Sequence, residues 1–587
     1  MLSIENVIQN KYPLWQQRSA LIQKPALTLL KGLIHEREIN AFFEKHPHSE
    51  GFDFLDRVLE YFNFSSRTSH QDRANIPSSG RVVIVSNHPL GSLDGLALLQ
   101  LVGNIRRDVK IIANDLLNNL EPLRKLLLPI DNLSQKGYRQ SMRHIMDALL
   151  EEEAVIVFPA GEVSRAGITG VKDGKWQTGF LHFARKTNSR ILPIHIEGKN
   201  SWLFYGISMA YKPASMLMLP HEMFRQRNKE LSIRIGQPIS IMQLDQLPVN
   251  NAMKAKLLRK HIYRLGKGKK PLFETEHTIA HPQNRQELKR ALQEATCLGE
   301  TNDGKRILLY LYQPDSVVLR ELGRLREEAF RQVGEGTGLR QDTDRYDRYY
   351  QHLILWDEDA LEIAGAYRLG HVPDIAVRGE ALYSAELFRY RPDMQSYFDE
   401  GVELGRSFVQ PKYWGRRSLD YLWQGIGAYL RAHPEIRYLF GPVSLSSRYP
   451  LAARQLIVGY YRRYFADTEH LAMANAPFVI PAREQRQIDD LFDGLSADEG
   501  LMVLKEQLAH YNVTVPTLYK QYADVCDSGG VRFLDFGIDP DFGFCVDGLV
   551  LVDTQKLKPK KRLRYVGGEV ATVECHLEKG EMPAGIV

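Results

Sequence analysis

The sequence predicts two domains of different fold class: an α/β N-terminal domain with a largely parallel sheet, and an α+β C-terminal domain with a mostly antiparallel sheet. The chain has 587 residues, more than one hydrophobic core usually supports. Apolar strands alternate with helices in the first half, whereas strands follow one another in the second. Residues 1–270 carry 38 Lys and Arg against 24 Asp and Glu, and the remaining 317 residues carry 38 against 47. The two halves are therefore expected to differ in electrostatic task as well as in fold.

Short apolar runs predict the buried strands of the first domain. The predicted strands are RVVIVS (81–86), VKIIAN (109–114), AVIVF (154–158), ILPIHI (191–196) and IRIGQPI (233–239), and helices are predicted over 94–104 and 135–152. Because these short apolar strands alternate with helical patterns, we expect an α/β domain with a largely parallel sheet.

A basic segment predicts the end of the first domain. Residues 254–270 are rich in Lys and Arg and finish in a Gly/Lys stretch. We therefore predict a domain over 1–270, a polar linker over 271–304 and a second domain over 305–587. In the second domain, the predicted strands are 306–312, 352–356, 362–369 and 438–443, and the predicted helices are 316–332 and 415–432.

Composition narrows the compartment and the partners. The four cysteines are far apart and show no metal-ligand spacing, which is typical of a reduced cytoplasmic protein. No leader peptide and no apolar run of about 18 residues is visible, so we expect a soluble protein without a transmembrane helix. Residues 14–34 fit either an interfacial amphipathic helix or a helix packed on its own domain.

The first candidate site follows the strand RVVIVS. His88 comes directly after it, and Asp94 stands six positions later, beyond Pro89 and Gly91, which can turn the chain back. A neutral imidazole can take a proton from an attacking hydroxyl, and a carboxylate behind it fixes the tautomer. A single histidine after a strand is more often structural, so a second block decides the interpretation.

That second block follows the strand AVIVF and reads FPAGEVSR. It places Gly161, Glu162, Ser164 and Arg165 at the end of a strand, where ligands gather in α/β sheets. The Arg165 guanidinium can fork onto a phosphate or a carboxylate. We interpret these four residues as substrate-binding candidates.

Over roughly residues 70–240 the chain resembles the glycerophosphate and lysophosphatidate acyltransferase superfamily. The resemblance implies that His88 is the general base on an acceptor hydroxyl and that Asp94 orients it. Five residues separate the two here, where the family usually has four, and the usual FPEGTRS is FPAGEVSR. These departures imply an altered acceptor pocket and resemble the branch that acylates the hydroxyl of an aminolipid.

The second candidate site is made of four short blocks. They are Arg326 with Phe330 on a predicted helix, Asp344 with Asp347 in a loop, Arg368 after a strand, and Glu403 with Arg406. Each block alone is typical of a helix-surface or structural ion pair. A purely structural ion network therefore stays open as an alternative.

The order and spacing of these blocks resemble the acyl-carrier-protein-dependent N-acyltransferases, which share a fold with the autoinducer synthases and the GNAT acetyltransferases. The resemblance covers about residues 305–553, and 403–449 is most similar to the ornithine N-acyltransferases. It implies Glu403 as general base or amine holder. The implied binding and support residues are Arg326, Phe330, Asp344, Asp347, Arg368 and Arg406.

Together the two resemblances imply a bifunctional ornithine-lipid synthase. The C-terminal domain would transfer a 3-hydroxyacyl group from acyl-carrier protein to the α-amine of ornithine, and the N-terminal domain would acylate the hydroxyl of the resulting lyso-aminolipid. Lysine, glutamine or glycine stay open as acceptors, and coenzyme A as second donor. No metal or redox cofactor is implied, and the expected location is peripheral, on the inner face of the cytoplasmic membrane.

Three other functions stay open. The first is a glycerophospholipid acyltransferase fused to a carrier-binding module, against which the shifted His–Asp spacing counts. The second is a non-enzymatic membrane or carrier-protein scaffold, against which the presence of His88, Asp94 and Glu403 counts. The third is nucleic-acid binding by the basic half. Since the chain shows no zinc-finger spacing and no RNA-recognition signature, we expect no nucleic-acid partner.

Overall fold

The computed structural model describes residues 27–28, 31–114, 121–130, 135–167, 170–211, 215 and 218–567. The chain divides into two compact units, Met1–His281 and Pro282–Val587. The first unit is α/β and the second is α+β, which confirms the predicted fold classes. Residues 14–34 lie largely outside the described residues.

In the described part of the first unit, seven strands form one sheet in the order β1-β9-β8-β2-β5-β3-β4. Neighbouring strands are parallel except for β8 and β9. The sheet strands are β1 (Ser65–Arg67), β2 (Val82–Ser86), β3 (Val109–Asn114), β4 (Leu127–Ile130), β5 (Ala154–Val157), β8 (Arg190–Glu197) and β9 (Glu230–Ile235), and a hairpin adds β6 (Arg165–Gly167) and β7 (Gly170–Lys172). Strands β2 and β5 are buried along their whole length, as their apolar runs predict.

Helices cover both faces of this sheet. They are α1 (Glu36–Lys45), α2 (Gly51–Tyr61), α3 (His70–Arg73), α4 (Leu93–Gly103), α5 (Gln135–Leu150), α6 (Gly179–Lys186), α7 (Trp202–Ala210), α8 (Leu219–Arg225), α9 (Ile241–Gln246) and α10 (Asn251–Leu265), with a 3₁₀ turn at Glu121–Leu126. Two separate hydrophobic clusters pack against the sheet, one centred on Ile84 and the other on Val83. These neighbours in β2 point to opposite faces, so both faces of the sheet are core.

The second unit contains an eight-stranded sheet in the order β10-β11-β12-β13-β15-β16-β19-β18. All neighbours are antiparallel except β15 and β16. The strands are β10 (Thr296–Glu300), β11 (Lys305–Tyr310), β12 (Gln351–Asp357), β13 (Glu362–His371), β15 (Gly401–Val409), β16 (Tyr438–Leu445), β18 (Val531–Asp539) and β19 (Cys545–Asp553), and a separate pair is β14 (Phe388–Tyr390) with β17 (Ala472–Ala474).

The parallel strands β15 and β16 pair only near their start. Their register runs from Gly401–Tyr438 to Glu403–Phe440, and then they part. At the point of parting Gly441 lies against the backbone of Leu404, where a Cβ would collide with the carbonyl oxygen. The sheet is therefore split beyond this pair, and backbone groups of both strands face the opening.

Helices and 3₁₀ turns complete the second unit. The helices are α11 (Arg285–Leu292), α12 (Val317–Val333), α13 (Val372–Val377), α14 (Gln395–Phe398), α15 (Ser418–Ala432), α16 (Leu451–Tyr464), α17 (Ala482–Leu491), α18 (Ala497–Ala509), α19 (Thr517–Ala523) and α20 (Pro559–Tyr565). The 3₁₀ turns are Arg345–Arg348, Tyr383–Glu386, Pro392–Met394, Pro411–Tyr413 and Thr554–Lys556. Within the described residues, no helix is both long and apolar enough to cross a membrane.

The segment 271–304, predicted to be a linker, is divided between the two units. Residues 271–281 pack on the first unit, where the Thr278 hydroxyl donates to Asn75 O over 2.9 Å. Beyond Pro282 the chain forms α11 and β10, and β10 pairs with β11 in the sheet. The linker prediction is corrected here, because the polar sequence of 282–304 is that of a half-exposed edge strand and a surface helix.

Candidate active sites

The two sequence blocks of the first site meet at one edge of the sheet. His88 follows β2 and the FPAGEVSR block follows β5, and these strands are parallel neighbours. The Ser164 N–H donates to His88 O over 2.8 Å, and the His88 ring stacks on Phe158 with centroids 4.0 Å apart. Both blocks therefore lie together at the carboxyl ends of neighbouring strands.

His88 and Asp94 form a hydrogen-bonded pair. His88 Nδ1 lies 3.0 Å from Asp94 Oδ2. Asp94 is fully buried at the start of α4 and also accepts backbone N–H groups of Leu90 (2.8 Å), Ser92 (3.0 Å) and Gly95 (3.0 Å). The carboxylate is thereby fixed, and it fixes the imidazole in turn.

The pair favours its charged forms. Burial opposes charge on Asp94, but the charge and hydrogen bond of His88 and the backbone donors outweigh it, so the pKa of Asp94 is lowered. Burial also opposes charge on His88, yet the neighbouring Asp94 raises the pKa of His88 above its ordinary value. A histidine with a raised pKa is a stronger base toward a hydroxyl.

Asp173 belongs to this site and was missed by the sequence reasoning. Its Oδ1 accepts the His88 N–H (3.3 Å) and the Ser164 hydroxyl, and its Oδ2 accepts Trp176 Nε1–H over 2.9 Å. Asp173 therefore ties the His88 backbone to the FPAGEVSR block. Burial raises its pKa. The sequence offered only a lone aspartate before Trp176, which no motif marks.

Glu162 and Arg165 pair with each other. Arg165 Nη2 lies 3.1 Å from Glu162 Oε2, and its Nη1 donates to the hydroxyls of Ser208 and Ser215. The sequence predicted that the Arg165 guanidinium binds a phosphate or a carboxylate of a ligand. In the structure, protein side chains already bind both of its terminal nitrogens. Gly161 has φ 65°, the left-handed turn that reverses the chain after β5.

In the second site the predicted charged residues form one buried network. Arg326 Nη1 lies 2.8 Å from Asp347 Oδ1. Arg368 Nη1 lies 2.6 Å from Asp344 Oδ1 and 3.3 Å from Asp347 Oδ1. Arg406 Nη2 lies 3.6 Å from Asp344 Oδ2. Five of the predicted residues are thus joined in one chain of ion pairs.

Asp342 completes the network and was missed by the sequence reasoning. Its Oδ2 lies 3.1 Å from Arg406 Nε, and the residue is buried. Burial raises the pKa of Asp342. The pKa of Asp347 is lowered, because the charges of Arg326 and Arg368 outweigh the burial that opposes its ionisation. The sequence block of Asp344 and Asp347 gave no reason to include the aspartate two positions before Asp344.

Glu403 lies beside this network, with its carboxylate occupied. It is 1% exposed. Its Oε2 accepts the Tyr350 hydroxyl and the Tyr383 N–H (3.2 Å), and its Oε1 accepts the Ser384 N–H over 2.7 Å. Burial raises its pKa. The two roles predicted for Glu403, general base or amine holder, both stay predictions.

Tyr383 links Glu403 to the arginines. Arg406 Nη1 donates to the Tyr383 hydroxyl over 2.9 Å, and the guanidinium lies 4.6 Å from the ring centroid. On its other side Arg406 lies 5.1 Å from the ring of Phe542, which meets Phe330 edge-on at 5.0 Å. Arg406 has φ 48°, at a bulge in β15 opposite β13. Phe330 therefore lines the network through Phe542, not by direct contact with the ions.

Comparison with known families agrees with the division of the chain. The "Acyltransferase" family matches residues 13–269, and the "Acetyltransferase (GNAT) domain" family matches residues 325–424. The chain is therefore an acyltransferase with two transferase domains, and the predicted pairing of an O-acyltransferase-type domain with a GNAT-type domain is confirmed.

Individual relatives match each type of transferase. A glycine N(alpha)-acyltransferase of Phocaeicola vulgatus is 30% identical over 49% of this chain and 92% of its own length. A lyso-glycine lipid O-acyltransferase of Bacteroides thetaiotaomicron is 30% identical over 42% of this chain and 91% of its own length. An L-ornithine N(alpha)-acyltransferase of Rhodobacter capsulatus is 30% identical over 43% of this chain and 92% of its own length. This chain belongs to the acyltransferase family of these proteins.

Proposed function

We propose that this chain makes a diacylated aminolipid in two steps, N-acylation of an α-amino acid, ornithine, in the second unit and O-acylation of the product in the first. The observation that carries the proposal is the presence of two separate acyl-transfer sites in one chain. One offers a histidine base for a hydroxyl, and the other offers a buried set of carboxylates and arginines for an amino acid. The N-acyl step makes the lyso-aminolipid, and the O-acyl step uses it as its acceptor.

The N-acyl step joins the α-amine to a 3-hydroxyacyl thioester. The ammonium first loses a proton to a base, and the amine lone pair then attacks the thioester carbonyl carbon. A C–N bond forms and the C–S bond breaks. The attacking nitrogen loses a second proton, which the leaving thiolate takes up, and the first proton passes from the base to solvent. The opening between β15 and β16 suits the donor, because its free backbone groups can pair with the amides of an extended pantetheine arm.

The O-acyl step uses the hydroxyl of the bound 3-hydroxyacyl group. His88 takes the hydroxyl proton at Nε2 while its Nδ1–H is held by Asp94. The alkoxide oxygen attacks the second thioester, the C–S bond breaks, and His88 returns the proton to the thiolate. This chemistry calls for no metal and no redox cofactor, and activity is expected to survive treatment with EDTA.

A basic groove adjoins the first site and supports an acidic carrier protein as the donor. The groove has a volume of about 580 Å³ and is lined mainly by basic residues: Lys172, Lys256, Arg259, Lys260, Arg264, Lys267 and Lys269. Arg259 Nη1 donates to Asp173 O over 3.0 Å, and the Tyr263 hydroxyl accepts the Asp173 N–H. Because Asp173 also accepts the His88 N–H, hydrogen bonds link two lining residues of the groove to the catalytic base.

An exposed apolar helix supports the peripheral location at a membrane. Trp202 and Met209 of α7 are 85% and 75% exposed, and Leu203 and Tyr211 are exposed beside them. Tryptophan and tyrosine favour the boundary between lipid headgroups and acyl chains. The other face of α7 carries Ser208, which binds Arg165 of the first site. A lipid acceptor could therefore reach the site from this side.

Vesicle sedimentation tests the membrane contact. The double variant Trp202→Ser, Met209→Ser is expected to bind anionic phospholipid vesicles at least ~10-fold more weakly, because two interfacial anchors are lost. Val377→Ser is the matched control, since Val377 is also strongly exposed but lies in the second unit. Equal binding by both variants would contradict this surface.

Reconstitution tests the proposed function itself. The full chain is incubated with 3-hydroxyacyl-carrier protein, a second acyl-carrier protein and a single amino acid, and the products are identified by mass spectrometry. A mono-acyl and then a diacyl ornithine lipid is the expected result. Glycine is the second candidate acceptor, favoured by the relatives that carry glycine in their names. Acylation of glycerol phosphate alone would contradict both.

A further inference from the structure

Three carboxylates near the second site take no part in its ion network. They belong to Glu335, Asp539 and Asp547. Ser444 of β16 stands opposite Asp547 of β19 in the register, and its hydroxyl donates to Glu335 Oε2 over 2.8 Å. Asp539 of β18 stands opposite Cys545, two residues from Asp547 and hence on the same face. The three side chains therefore converge at one end of the sheet.

Asp547 lacks the partners that a buried carboxylate needs. It is 5% exposed, and among the described residues no N–H or O–H group donates to it. Its one polar contact is the thiol of Cys545, with Sγ 3.7 Å from Oδ1. Burial and the neighbouring carboxylates of Asp539 and Glu335 raise the pKa of Asp547 to about 8. Buried carboxylates are normally hydrogen-bonded or paired with a cation, and among the described residues no Lys or Arg forms an ion pair with Asp547.

The nearby arginines are already engaged. Arg406 is the cation that acts on Asp547, but its own ion pairs are with Asp342 and Asp344. Three arginines of the network face three aspartates, and these residues are Arg326, Arg368, Arg406, Asp342, Asp344 and Asp347. The charges of the network balance one another. The three further carboxyl groups therefore have no arginine or lysine as an ion-pair partner among the described residues.

The distance from the opening in the sheet to the three carboxylates is about the length of an amino-acid side chain. Acyl transfer is proposed at the opening between β15 and β16, and Asp547 lies on β19, the next strand after β16. Neighbouring strands are ~4.8 Å apart, a distance that a side chain of three methylene groups can bridge. An amino acid whose α-amine faces the opening can thus extend its side chain to Asp547.

We propose that Glu335, Asp539 and Asp547 bind the side-chain ammonium of a dibasic α-amino acid. The inference rests on the proposed function, because it specifies the acceptor of the same N-acyl step as ornithine or a close homologue. An ammonium group offers three N–H donors, which suits a set of carboxylates. Glycine has no group to place there.

The first test compares two acceptors of equal length. L-Norvaline has the three-carbon side chain of L-ornithine without the terminal amine. With full-length protein and 3-hydroxyacyl-carrier protein, we expect kcat/KM for ornithine to exceed that for norvaline and glycine by at least ~100-fold. A site built of buried polar groups rejects an analogue that leaves them unpaired.

The second test removes the charges. Asp547→Asn and Glu335→Gln keep the side-chain size, and each is expected to raise the KM for ornithine at least ~10-fold while leaving norvaline acylation unchanged or faster. Asp541→Asn is the control, because this carboxylate is exposed in the turn between β18 and β19. It is expected to behave as the wild type with both acceptors. Retained norvaline acylation shows that a variant is folded.

The possible outcomes distinguish a failure of the ammonium site from a failure of the proposed N-acyl transfer. Equal use of ornithine and norvaline by the wild type, or parallel loss of both in Asp547→Asn, would overturn the ammonium site while keeping N-acyl transfer. A preference of the wild type for glycine would overturn it as well. No acylation of any amino acid by folded wild type would contradict the proposed function itself.

Discussion

The two sites of this chain hold their charges in different ways. In the first unit one histidine, 18% exposed at its side chain, meets one buried aspartate at the edge of a parallel sheet. In the second unit, arginines and aspartates from helix α12, the segment 342–347 and strands β13 and β15 are buried together and pair mainly with one another. The first arrangement leaves a reactive nitrogen accessible. In the second arrangement the charged groups are already paired with one another. Binding of a charged substrate there is therefore proposed for the carboxylates outside the network, those of Glu335, Asp539 and Asp547.

Because of this difference, substitutions in the first site should mainly affect catalysis, and substitutions in the second network should mainly affect folding stability. Replacing His88 should remove a reaction step and leave the fold, because its neighbours are held by Asp173 and backbone bonds. Replacing a member of the second network should damage the fold first, because a partner is left charged and buried. The following predictions test this separation in order of expected effect.

His88→Ala should lower O-acyl transfer by about 10²–10⁴-fold, the usual contribution of a general base. N-acylation should be unchanged, so the mono-acyl lipid should accumulate. The measurement is quantitative lipid mass spectrometry on the reconstituted reaction. Loss of both products together would mean that the two sites are not independent.

Asp347→Ala should destabilise the second unit by about 3–5 kcal/mol, because Arg326 and Arg368 both lose a buried partner. Denaturant unfolding followed by tryptophan fluorescence checks the magnitude. The exposed Asp374, on the short helix α13, gives a control as Asp374→Ala. An Asp347→Ala protein as stable as the control would refute the structural reading of the network.

Glu403→Gln distinguishes a general base from a residue that only fixes the segment around Tyr383 and Ser384. If the residue holds Tyr383 and Ser384, the variant should lose about 10-fold in N-acylation together with thermal stability, because an amide oxygen replaces only part of its accepting capacity. A loss above about 10² in kcat with unchanged stability and KM would instead establish Glu403 as the base. Steady-state kinetics and thermal melts decide between them.

The pH profile of O-acyl transfer should show the raised pKa of His88. Neutral His88 is the active form, so the rate should fall as pH drops, with an acid limb above the ordinary histidine value of 6.5. Asp173 also contributes to that raised pKa, so Asp173→Asn should move the limb to lower pH and slow the reaction by about 10-fold. A limb below 6.5 in the wild type would contradict the His88–Asp94 pairing.

The sequence predicted those elements whose local residue pattern matches their burial in the folded protein. Strands β2 and β5 are continuous apolar runs because both faces of the parallel sheet are covered. His88 and Asp94 were found because a short turn joins them, so their distance along the chain already limited their distance in space. Five residues of the second candidate site, Arg326, Asp344, Asp347, Arg368 and Arg406, lie in one ion network in the structure.

The missed elements are those whose pattern is set by distant partners. Strand β15 has charged residues among its buried positions, since Glu403 and Arg406 find partners in the segment 342–384, so no apolar alternation marks it. Asp173 and Asp342 are single aspartates whose roles come from side chains far along the sequence or across a loop. Strand β10 is a polar edge strand and was read as linker.

The most direct test of the account is the lipid content of a bacterial host without aminolipids that expresses either the wild type or His88→Ala. We expect a new diacyl ornithine lipid with the wild type and only its mono-acyl precursor with His88→Ala. A diacyl aminolipid formed by His88→Ala in wild-type amounts would contradict the claim that the two sites carry out separate, successive acyl transfers.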